Sequence, residues 1–288
     1  MARGIHEGVL ERLRDEGVAG VRLANECGGR TRGLFIAVEG IDGAGISTAS
    51  EAMAKALRAL ARRAGQDAVY TKEPTFGPLG FHIWQAIRGG AFEALRIPQL
   101  MALLFAADRV WHLTAEQLNR CRGLIECILG PVIVVSDRYK YSSLAYQTVD
   151  SMVGGSRFKA PPRRWVEEVN AYAPPPHILV YIDVDVEVAL ERIARERWAL
   201  ELYETREFLE RVRRNFREIV GRLKEEPEGR GMWSDLSGEL ECAYPGWRYP
   251  IVVEEDSTRK EPEELVLDAL KAVLREASRK GLIEVLEA

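Results

Sequence analysis

The sequence is poor in cysteine, in net charge and in long apolar runs. Its 288 residues include four cysteines, Cys27, Cys121, Cys127 and Cys242. None forms a C-x-x-C pair and no Cys/His spacing suits zinc, so no spacing points to a cysteine-built redox motif or metal centre. Cys121 and Cys127 lie six residues apart, which a helix would place on different faces, and all four are expected as reduced core thiols. No uncharged stretch approaches the roughly 18 residues that would cross a bilayer. The first residues, MARGIHEGVLERLRDEG, mix acids with bases and lack an apolar signal core. The net charge is only −4, so no basic nucleic-acid footprint is visible. A cytoplasmic protein with neither membrane nor nucleic acid as partner is expected.

What is present suits a well-cored α/β chain. Hydrophobic residues make up 47% and charged residues 29%. Within residues 1–32, Ile5, Val9, Leu10 and Leu13 have helical spacing, and ECGGRTRG then breaks the pattern. This segment reads as an N-terminal helical extension. From residue 33 to residue 288 apolar strands alternate with helices. The strands are LFIAVE from Leu34, DAVYT around Val69, PVIVVSD before Arg138, HILVYIDV after Pro176 and YPIVVEE near Val252. Helices are expected over 47–63, 81–88, 98–128 and 261–282. Residues 226–249 read as an irregular insertion. The expected fold is a five-stranded parallel sheet flanked by helices, of P-loop NTPase type.

Three motifs carry chemistry. Gly40-Ile41-Asp42-Gly43-Ala44-Gly45-Ile46-Ser47 joins the first strand to a helix. It fits G-x-x-x-x-G-K-[ST] except at the lysine. Glycines let backbone N–H groups curl around phosphate oxygens, and a serine hydroxyl there can ligate Mg²⁺. Taken alone, the same run also suits a tight βα turn with no ligand. Asp137-Arg138-Tyr139 ends the third strand, where α/β sheets bind ligands. An acid and a base there could handle a metal and a phosphate, or form a structural ion pair. Phe105 and Arg109 are four apart on a helix and share a face. A ring beside a guanidinium can stack a base and bond its edge, although a core phenylalanine and a surface arginine give the same spacing.

Together, FIAVEGIDGAG, TKEP, LLFAADR, DRYKYSSLAYQ and YIDVDVEVALERI resemble the thymidylate kinase family over about residues 33–278. The resemblance implies phosphoryl transfer from ATP to dTMP in nucleotide biosynthesis, with Mg²⁺ and a homodimeric assembly. It implies that Gly40, Ile41, Asp42, Gly43, Ala44, Gly45, Ile46, Ser47 and Thr48 bind the ATP phosphates. Glu73, Phe105, Arg109, Arg138, Ser143 and Tyr146 would bind dTMP. In the family pattern Phe105 would stack on thymine, Arg109 would bond its O4 and Tyr146 would close on the sugar. Arg138, Asp42 and the lid arginines Arg195 and Arg197 would act in catalysis, within a lid over about 195–205. Ser47, Asp42 and Asp137 would serve the metal. Lys72 replaces the arginine of the family's T-R-E-P segment and loses its bidentate fork.

The departure lies at position 46. Isoleucine stands where a lysine normally neutralises the β- and γ-phosphates. Lys140, Lys72, Arg195 and Arg197 are candidates to replace that cation. Two other readings stay open: a nucleotide-binding homologue with little turnover that acts as a regulator or partner subunit, and a kinase with another acceptor or donor.

Overall fold

The computed structural model describes residues 2–88, 97–149, 159–196, 205–229, 238–246 and 248–287. Five parallel strands form the central sheet: β4 (Leu34–Gly40), β5 (Asp67–Lys72), β8 (Val132–Asp137), β9 (Ile178–Asp183) and β10 (Ile251–Asp256). Their spatial order is β10-β9-β4-β8-β5. Every residue of β4 and of β8 is buried, as expected of strands covered on both faces. The covers are helices, chiefly α2 (Ile46–Ala61) and α11 (Pro262–Arg279) on one face. Ala49, Ala52, Met53, Ala56, Leu57 and Leu60 give α2 one buried stripe at helical spacing. All five expected strands are present. The chain runs from β4 to β5 at one edge and from β8 back across β4 to β9, so the carboxyl ends of β4 and β8 flank the topological switch point where ligands bind in such sheets.

Three expectations are corrected. The single helix over 98–128 is instead α4 (Pro98–Thr114), a short β6 (Gln117–Leu118) and β7 (Cys121–Arg122) ladder, and α5 (Gly123–Leu129). Gly123 makes the turn at φ +75°, and a Cβ there would lie 2.4 Å from the Leu113 carbonyl oxygen. The N-terminal extension is not only helical. After α1 (Ala2–Asp15), β1 (Val18–Leu23) pairs antiparallel with β11 (Ile283–Glu287), followed by the ladder of β2 (Glu26–Cys27) and β3 (Arg30–Thr31).

The third correction concerns the thiols: the four cysteines are paired. Cys121 and Cys127 do not share a helix, and the Gly123 turn brings their Cα atoms to 5.3 Å. Cys27 reaches Cys242, in α10 (Gly238–Cys242), at a Cα separation of 5.8 Å. Both separations suit a disulfide.

The remaining helices frame the sheet's carboxyl edge. These are α3 (Pro78–Ile87), α6 (Lys140–Tyr146), α7 (Arg163–Val169), α8 (Val186–Glu196) and α9 (Arg206–Glu225). No helix among the described residues is long and apolar enough to cross a membrane.

Candidate active site

The phosphate-type loop leaves β4 at Gly40 and enters α2 at Ile46. Its backbone is compressed against its neighbours. A Cβ on Gly40 would sit 2.4 Å from the Ile182 carbonyl oxygen, and one on Gly43, at φ +79°, 2.5 Å from that of Ala189. The loop is also held from outside. Arg192, on α8, donates to the Gly43 carbonyl at 3.3 Å and to Ser257, and the Ser257 hydroxyl donates to the Ala44 carbonyl at 3.0 Å. With these carbonyls turned outward, the first turn of α2 presents unsatisfied N–H groups to the cavity it opens on.

That cavity has a volume of about 630 Å³. Residues 41–49 line it, with Arg138, Arg192, Arg195 and Lys260 as its cations. Ile46 is 4% exposed and belongs to the hydrophobic core, so its side chain supplies an apolar wall where a lysine would supply charge.

A second cavity, of about 160 Å³, lies on the other side of the loop. Its walls include Lys72, Glu73, Pro74, Trp84, Phe105, Asp137, Tyr146 and Gln147. Asp42, Ser47 and Arg138 line both cavities. The two spaces therefore meet at an acid, a hydroxyl and a guanidinium.

Arg138 is fixed at this junction by an unusual backbone. Its φ is +71°, and among the described residues it is the one non-glycine in the left-handed region. Such a conformation costs roughly 1–3 kcal/mol and persists only where the surroundings over-determine it. The result points the guanidinium back over the loop. Nη1 donates to the Gly40 carbonyl at 2.9 Å and to Ser142 Oγ at 3.1 Å, and Nη2 donates to Asp42 Oδ1 at 2.5 Å. Tyr146 donates its hydroxyl hydrogen to Asp42 Oδ2 at 3.1 Å and accepts the Asp42 backbone N–H at 2.9 Å.

Behind the smaller cavity lies a buried polar network. Arg109 is 1% exposed and lies behind the cavity wall with Ser143. Its Nε and Nη2 donate to Glu73 at 2.9 and 2.6 Å, Nη2 also donates to Ser143 Oγ at 3.1 Å, and Nη1 donates to Asn170. The other Glu73 oxygen lies 2.9 Å from His112 Nδ1. Burial pushes the Glu73 carboxyl up, but Arg109 and His112 outweigh it and hold it below the usual carboxylate range. Glu73 is thus an anion beside Phe105, which is half-buried on the cavity wall.

The candidates to replace the lysine separate cleanly. Lys140 is 6% exposed and donates to Glu228 at 2.6 Å and to the Ala173 carbonyl at 3.1 Å, on neither cavity wall, so it is not the substitute. Lys72 lines the smaller cavity, with Nζ 4.8 Å from the Trp84 ring centroid. Arg195 lines the larger one. Arg197, with most of the expected lid, lies outside the described residues.

Asp183, a further acid at the sheet edge, accepts from Arg213 and Arg217 of α9 and from Tyr181. Burial raises its carboxyl, but these bonds prevail and hold it down to about 2. It anchors α9.

Sequence reasoning missed three polar residues. Glu39 lies under the loop, Asn170 holds Arg109, and Gln147 lines the smaller cavity with a buried Oε1 that has no hydrogen-bond partner. Only Glu39 left a signal, as an acid inside an otherwise apolar strand.

Comparison with known proteins agrees with this geometry. A family model described as thymidylate kinase matches residues 38–227. A putative thymidylate kinase of Aeropyrum pernix is 46% identical over 188 residues, covering 65% of this chain and 78% of the relative. A probable thymidylate kinase of Pyrobaculum aerophilum is 33% identical over 243 residues, 84% of this chain and 96% of its own. The solved thymidylate kinase of Candida albicans shares the fold at a TM-score of 0.59 and 20% identity, over 88% of this chain and 95% of that one. With a family model spanning the loop, the smaller cavity and the junction between the two, the chain belongs to the thymidylate kinase family.

Proposed function

We propose that this chain transfers the γ-phosphoryl group of ATP to dTMP, giving dTDP. The observation that carries this is the junction: two adjoining cavities, on either side of the loop, share Asp42, Ser47 and Arg138. Phosphoryl transfer needs little covalent help from a protein. It needs two phosphates held in line and their charge neutralised.

The larger cavity takes ATP, with its phosphates on N–H groups of the loop other than those of Asp42 and Ala44, which bond Tyr146 and Ile41. The smaller takes dTMP, with thymine against Phe105 and the sugar against Tyr146. Arg109 uses four of its five N–H donors within the protein, and its remaining Nη1 hydrogen is the one assigned to thymine O4. Ser143 keeps that guanidinium in register. Arg138 bridges the two phosphates. Arg195 takes over charge that Ile46 cannot supply, and Arg197 belongs to the same lid. Ser47, Asp42 and Asp137 offer only oxygen donors, a set that suits Mg²⁺, and these residues would hold it. Bound there, the ion would neutralise charge on the transferring phosphates.

The reading extends to the whole protein. The first 32 residues and the segment that carries α10 are additions to the kinase body, and the Cys27–Cys242 bond joins one to the other. Homodimerisation through α3 and α4 is supported by Leu103 and Val110, seven apart on α4, and Phe81 on α3, all exposed apolar side chains. The reaction belongs in the cytoplasm, where both substrates occur.

A steady-state assay of ADP release with dTMP, ATP and Mg²⁺ tests the activity. Turnover that requires dTMP is expected. Turnover at background with all three saturating would refute it.

A further inference from the structure

Arg138 is held in place by something the motif does not name. Its backbone N–H donates to the Val38 carbonyl at 3.0 Å, and its carbonyl accepts from Ser136 Oγ at 2.7 Å. The residues after it wrap around one carboxylate. Glu39 Oε1 accepts the backbone N–H of Tyr139 at 2.9 Å and that of Ser142 at 3.0 Å, while Oε2 accepts the Ser142 hydroxyl. The same hydroxyl oxygen accepts Arg138 Nη1 at 3.1 Å. One chain of bonds thus runs from the carboxylate through Ser142 to the guanidinium.

Glu39 is fully buried and lines neither cavity. A buried acid with no ligand to meet is costly unless its bonds do something. Here they close the turn that forces Arg138 into the left-handed region. They also tie that turn to the strand carrying the phosphate loop, since Gly40 follows Glu39 directly.

We infer that Glu39 is a positioning residue for dTMP: its carboxylate holds the Arg138 turn so that the guanidinium sits at the junction of the two cavities. It touches neither nucleotide and acts through Tyr139, Ser142 and Arg138. This rests on the dTMP kinase reading given above.

The test is equilibrium binding of dTMP and of ATP, each by calorimetry, on the full chain. In E39A two backbone N–H groups lose their acceptor and the turn can relax. Loss of a well-placed hydrogen bond to a charged group costs about ten- to a hundredfold in affinity. Affinity for dTMP should fall at least about tenfold, while affinity for ATP, held by the loop's own N–H groups, stays within about threefold. E39Q keeps an acceptor at Oε1 and should restore dTMP binding, because an amide nitrogen at the Oε2 position can donate to Ser142 Oγ. If E39A fails to fold, E39D decides, since its shorter side chain withdraws the acceptor while keeping the charge, and a dTMP-selective loss is again expected.

Unchanged dTMP affinity in E39A or E39D, or equal losses for both nucleotides, would overturn the inference. Failure of the wild-type chain to bind dTMP would instead end the kinase reading, so the two failures are distinguishable.

Discussion

Replacing Arg195 by alanine tests how this kinase works without its loop lysine. Arg195 lines the donor cavity, and its side chain is 78% exposed. Its one ion pair among the described residues is with Glu191, at 3.6 Å on the same helix, and that partner is 67% exposed. Exposed i,i+4 pairs contribute only about 0.3–0.5 kcal/mol. R195A should therefore leave the melting temperature within a degree or two, and the side chain is free to swing toward a bound triphosphate. If Arg195 supplies the missing cation, its loss removes a positioned donor from the transition state. That costs about 10²–10³ in kcat, or roughly 3–4 kcal/mol. Steady-state kinetics with dTMP and ATP measure this directly, and the same comparison in an I46K background completes a cycle. With a lysine restored at position 46, R195A should cost less than about tenfold, because the two cations serve the same phosphates. A kcat within about threefold of wild type for R195A alone would refute the reasoning, and so would the same penalty in both backgrounds.

Three further outcomes are expected. Phe105→Ala should raise the KM for dTMP by about one to two orders of magnitude with little effect on that for ATP, since stacking of a base on a ring is worth about 1–3 kcal/mol. Thermal melts of C27S/C242S should show a larger loss than those of C121S/C127S. The first bond closes 215 residues and the second six, so chain entropy gives about 5 against about 2 kcal/mol. Asp183 is an acid held low, so its contribution is present above its ordinary value of 3.8 and disappears as pH falls through about 2. Denaturant titrations should therefore find D183N less stable than wild type by about 2 kcal/mol at pH 7, with the gap closing near pH 2.

The sheet and the phosphate loop were legible because their signals are local. Five continuous apolar runs mark the strands, and the glycines of Gly40 to Gly45 mark the turn that follows the first. The broken helix was not legible, because residues 98–128 read as one long helical pattern, which the β6–β7 ladder and Gly123, at positive φ, divide. Nor was the pairing of β1 with β11, whose residues lie at opposite ends of the chain and meet only once it is folded. The cysteines were misread for the same reason. Spacing on an assumed helix kept Cys121 and Cys127 apart, while the actual turn brings them together.

The sequence by itself determined the family, the order of the chemistry-bearing motifs along the chain and the loss of charge at position 46. Residue type and spacing are enough for that, because each motif acts through neighbours along the chain. Only the tertiary structure decided which cations line the larger cavity and which are committed elsewhere. Lys140 follows the Asp-Arg-Tyr motif directly in sequence, yet folding commits its ammonium to Glu228, 88 residues away. It also decided the conformation of Arg138, since a left-handed arginine needs Val38, Ser136 and Glu39 around it at once. A single cation's position is set by partners distant in the chain, and no local pattern records them.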